Sequence, residues 1–62
     1  MNAALTLAAE ILANTDSVNL RVRAFDRPGL RFTKAELVAV AANMNLDTTG
    51  SRSNLCFRIA RS

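Results

Sequence analysis

Seven of the eight basic side chains in this 62-residue sequence are arginines, and there is no histidine. A planar guanidinium fork pairs with phosphate or carboxylate in bidentate fashion, so the residue types favour recognition of an anion. Catalysis is poorly served. The chain lacks His and Tyr, has no glycine-rich phosphate loop, and carries no two carboxylates at a spacing that would share a site. Cys56 stands between Leu55 and Phe57 with no base to activate it, so a buried, inert thiol is expected there. One cysteine and no histidine also exclude an intramolecular disulfide and the usual four-ligand zinc site. A non-enzyme without cofactor is the expectation.

The charge is uneven along the chain. Residues 1–19 hold Glu10 and Asp16 and no base, a charge of −2. Residues 20–62 hold all eight bases against Asp26, Glu36 and Asp47, a charge of +5. Such a field raises encounter rates with phosphate or with an acidic protein surface, although it also serves solubility. Within the basic part, Ser51 and Arg52 follow Gly50 at the expected start of a helix. Unsatisfied amides and the positive end of the helix dipole attract an anion there, and Arg52 adds a charge. The same three residues also fit a purely structural part, as turn, N-cap and solvated side chain.

The elements that position these residues read as helices. A chain of this length forms one domain with a small core, and its 50% apolar content is that of a folded protein. Residues 3–13 are good helix formers, with Asn2 available as N-cap. Their apolar side chains cover most of the helix circumference, which predicts burial on more than one side, against the rest of the domain or against a second copy, so a homodimer through this helix is open. Residues 14–25 alternate like a strand, but Val18, Val22 and Phe25 also fall at i, i+4 and i+7. A lone strand would have no partner, so a short helix capped by Thr15 or Asp16 is expected. A short echo between VNLRVRA (18–24) and SNLCFRI (53–59) fits two short helices that each carry an arginine.

Pro28 and Gly29 mark a break between an N-terminal helical segment, 1–27, and a second one, 32–61. Thr33 and Glu36 have capping-box spacing, and Phe32 stands where a hydrophobic staple would meet Leu37. A helix from Lys34 to about Met44 should bury Leu37, Val40, Ala41 and Met44. Asn45 suits a left-handed terminus, the stretch DTTG an extended connection, and a last helix starts near Ser51. In so small a domain Phe25, Phe32 and Phe57 are all expected in the core. The apolar run near the N-terminus is too short to cross a bilayer and lacks the basic leader of a secretory signal, so a cytoplasmic protein is expected.

The stretch FTKAELVAVAANMNLDTTGSRSNLCFRI, residues 32–59, resembles the SAP-type helix-extension-helix motif, and more loosely the LEM and Rho N-terminal folds. The likeness is carried by Leu37, Val40, Ala41, Leu46 and Gly50, then Arg52, Leu55, Arg58 and Ile59. It departs from the pattern at Asn45, where a glycine usually ends the first helix, at Phe57, usually acidic, and at Val38 and Ala42, often basic. The resemblance implies an all-α fold that binds DNA, with Gly50, Ser51 and Arg52 toward phosphate. Lys34, Arg58 and Arg61 complete the candidate contacts. Arg58, six residues beyond Arg52, has a different azimuth and reads as a peripheral contact or a structural partner.

Two function classes follow. One is a nucleic-acid module, duplex DNA through its phosphates, because base readers are few and no exposed aromatic platform for single strands is expected. The other is a small protein-binding factor, an inhibitor or adaptor, which the short length and the apolar first helix favour.

Overall fold

The computed structural model describes residues 3–29 and 31–62, so the expected cap at Asn2 lies outside the described residues. The fold is all-α. Four helices, α1 (Ala3–Asn14), α2 (Val18–Phe25), α3 (Lys34–Asn43) and α4 (Arg52–Ala60), pack into a body of 24 × 23 × 20 Å. α1 lies against α2 and α3, and α4 against α2 and α3.

The segment that alternates like a strand is helical. Its cap is Ser17, not Thr15 or Asp16: the Ser17 hydroxyl accepts from the Leu20 amide, and extended backbone at Ser17 feeds the first turn. Val18, Arg21, Val22 and Phe25 share one face of α2, and Phe25 is fully buried. The Pro28–Gly29 turn, with Gly29 at φ +84°, returns the chain so that the Phe32 amide donates to the Phe25 carbonyl at 3.0 Å. The two rings then meet edge to face, centroids 5.1 Å apart.

α3 begins with the full capping box. The Thr33 hydroxyl accepts from the Glu36 amide at 3.1 Å, and the Glu36 carboxylate accepts from the Thr33 amide at 2.8 Å. Its end is a Schellman motif: Leu46 donates to Ala41, Asn45 donates to Ala42, and Asn45 adopts φ +60°. Leu37, Val40 and Ala41 are buried, and Met44 packs half-buried at the edge.

Leu37, Val40, Leu55 and Ile59 close the core with Phe25 and Phe32, each such side chain contributing about 1.5–3 kcal/mol. Cys56 is buried beside Leu55 and Ile59, its Sγ 3.8 Å from the Val22 carbonyl oxygen, and that burial raises the thiol pKa.

One expectation is corrected. Phe57 is not a core residue: it is 42% exposed, because α4 buries Leu55, Cys56, Ile59 and Ala60, and position 57 lies well off that face. The large apolar side chains of α1, namely Leu5, Leu7, Ile11 and Leu12, pack against the core of the same chain. The exposed positions of α1 are Ala3, Thr6, Ala9, Glu10, Ala13 and Asn14, so its large side chains are covered by the rest of the domain, one of the two alternatives open to this helix. The echo of VNLRVRA and SNLCFRI falls on two short helices that each carry an arginine, although Leu20 is exposed and Leu55 buried.

Candidate nucleic-acid interface

Residues 46–51 run without helix from the end of α3 to the start of α4. Gly50 sits at φ +106°, a conformation side chains rarely adopt, and a Cβ there would lie 3.1 Å from the Asn54 Cβ. Ser51 caps α4, its hydroxyl accepting from the Asn54 amide at 3.2 Å. The amides of Arg52 and Ser53, at the first turn of α4, have no acceptor inside the helix.

Arg52 turns inward. Its Nε donates to the Phe32 carbonyl at 2.6 Å, and one terminal nitrogen donates to the Phe25 carbonyl at 3.3 Å. The same nitrogen lies 3.1 Å from the Asp26 carboxylate, which also pairs with Arg31. With 22% of its side chain exposed against 67% for Arg31, Arg52 is a strut. The strut has a geometric effect: it holds the residue that enters α3 against the residue that opens α4. The Arg52 side chain thus ties the entry of α3, capped by Thr33, to the first turn of α4, capped by Ser51.

Arg58 is likewise engaged, donating to the carbonyls of Asp47 at 2.8 Å and Thr49 at 2.7 Å, so it fixes the extension that carries Gly50. The Asp47 carboxylate accepts from the Thr49 amide and hydroxyl, and these bonds, with the nearby Arg58 charge, hold its pKa below the usual carboxylate range. The side chains of Lys34 and Arg61 are exposed and make no hydrogen bond or ion pair within the described chain. Lys34 opens α3, whereas Arg61 caps the far end of α4. The six candidate residues thus divide into two struts, a hinge with its cap, and two unengaged cations at opposite ends of α4.

Sequence reasoning missed Arg21. Its guanidinium donates to three carbonyls, Thr15 at 2.5 Å, Leu12 at 2.9 Å and Ala60 at 2.9 Å, tying α1, α2 and α4 together. The available signal was its place on the Val18–Val22–Phe25 face of α2. Among the described residues no three His, Cys, Asp or Glu side chains gather to hold a metal, and no helix is long and apolar enough to cross a membrane.

The chain matches no protein-family model, no curated protein and no solved structure in the three comparisons made.

Proposed function

We propose that this chain is a non-enzymatic, cytoplasmic module that binds duplex nucleic acid, DNA in the first place, through backbone phosphates at the linked starts of α3 and α4. The observation that carries this reading is the Arg52 bond to Phe32, which ties the start of α3 to the start of α4. Each start offers amides without helical acceptors and the positive end of a helix dipole, with Lys34 and the exposed, Asp26-paired Arg31 as nearby charges. The acidic groups nearby are engaged, Glu36 in the capping box and Asp26 with Arg31 and Arg52. The resemblance to SAP-type motifs supports the same partner. Arg52 acts in this reading by position, not by touching phosphate.

Fluorescence titration of a labelled duplex at several salt concentrations tests it. Affinity should fall steeply with salt, and Lys34→Ala should make the logarithmic slope shallower by about one unit across all sequences. Folded wild type that fails to bind any duplex at low salt would refute the reading.

A protein partner is the second reading, and one observation favours it. Leu20 is 53% exposed on the outer face of α2, in a groove of about 560 Å³ lined at one end by Asp16 and at the other by Arg23, Ala24 and Arg27. An exposed apolar side chain beside two arginines whose side chains have no partner among the described residues suits a protein surface of net acidic charge that buries one large apolar group. Leu20→Asp would abolish such a complex and leave duplex binding unchanged.

A further inference from the structure

The outer face of α4 runs on from the proposed phosphate contact. At about 100° per residue, Asn54, Phe57 and Arg61 fall within about 60° of one another, on the side away from Leu55, Cys56 and Ile59. With the stem of Arg58 they line an open recess of about 320 Å³. Its chemistry is mixed in a specific way. Phe57 offers an exposed ring. The Asn54 amide carries both donors and an acceptor, and its side chain makes no hydrogen bond within the described chain. Arg61 supplies a cation without a partner. The Arg58 guanidinium, held on the Asp47 and Thr49 carbonyls, fixes the fourth wall.

Gly50 connects this recess to the hinge. The position its missing Cβ would take is 3.2 Å from the Asn54 side-chain nitrogen, so any side chain at residue 50 would push the amide that faces the recess.

We propose that this recess takes a single unpaired nucleobase at the edge of a bound duplex, the base stacking on Phe57, its edge bonding to the Asn54 amide and its phosphate lying against Arg61. A planar π-face, a hydrogen-bonding edge and an adjacent anion are the three properties of a nucleotide, and the recess presents a complement to each. An acidic peptide would meet the cation and the amide, but without an aromatic side chain it brings no planar face to the ring. The inference rests on the nucleic-acid reading and narrows it: the preferred ligand is a duplex with a short single-stranded extension, not a blunt one.

The test uses the full chain and two probes, a blunt duplex and the same duplex with a three-nucleotide overhang. Wild type should bind the overhang probe about tenfold more tightly, the scale of one stacked base. Phe57→Ala should erase that preference and leave blunt-duplex affinity unchanged, and Phe57→Leu should fail to restore it. Circular dichroism and urea unfolding check folding, because Phe57 is 42% exposed and the rest of its side chain is covered. Because the chain has no Trp or Tyr, Phe57→Trp adds a sole strong fluorophore, whose emission should be quenched by the overhang and not by the blunt end. If duplex binds but the overhang adds nothing, or Phe57→Ala weakens both probes equally, the recess is not a base site and the duplex reading stands. If neither probe binds, both fall together.

Discussion

The interior seams and the outer rim of this molecule use the same residue type for opposite purposes. Along the seams, Arg21, Arg52 and Arg58 place their guanidinium groups on seven backbone carbonyls, of which Phe25 also accepts from the Phe32 amide. On the rim, the side chains of Arg23, Arg27, Arg61 and Lys34 have no protein partner among the described residues. A net charge counts both sets alike. Only the second set and the exposed part of Arg31 are available to a ligand, so the +5 of the basic part overstates the field that a phosphate would meet.

Stability measurements can break or sharpen that contrast. The largest effect is expected from Arg21→Ala, a loss of about 3 kcal/mol in urea unfolding, because three carbonyls at the junction of α1, α2 and α4 lose a charged donor. Arg21→Lys should recover less than half, since an ammonium cannot reproduce the fork. Should Arg21→Ala unfold no more easily than Arg61→Ala, the division into seam and rim is wrong.

Arg52→Ala comes next, at about 2 kcal/mol, with one short bond to Phe32, a longer one to Phe25 and a half-exposed Asp26 as losses. Gly50→Ala should cost roughly 1–2 kcal/mol through its positive φ and the crowding on Asn54. Arg61→Ala and Lys34→Ala should stay within about 0.5 kcal/mol of wild type, as rim substitutions do.

The smallest effect concerns Cys56. Its folded thiol pKa is raised by burial, so the native state keeps the proton longer than the unfolded chain does. The resulting stability is present below the ordinary thiol pKa and is lost as pH rises through it toward the folded value. Cys56→Ala should remove that alkaline decline, read as urea midpoints on either side of the thiol range, and native wild type should label with a thiol reagent far more slowly than unfolded chain.

Much of the fold was legible because its signals are local. The capping box at Thr33 and Glu36, the left-handed Asn45, the Pro28–Gly29 turn and the Gly50 hinge each depend on residues within a few positions of one another. The candidate site was less legible. Arg52 looked like a phosphate ligand because it follows a glycine and a serine, yet it precedes Leu55, Cys56 and Ile59 by three, four and seven places and so belongs to their inward face. The carbonyls it meets are 20 and 27 residues away, beyond the reach of any spacing rule. Phe57 was misplaced for the opposite reason: composition assigned it to the core, whereas its azimuth turns it outward.

The Arg21 junction also bears on cooperativity. Two of its acceptors, Leu12 and Thr15, lie within nine residues, but the third, Ala60, is 39 residues downstream. In an α1–α2 hairpin without α4, the nitrogen that meets Ala60 is left to water. The junction thus ties the first hairpin to the last helix, which favours folding as one cooperative step.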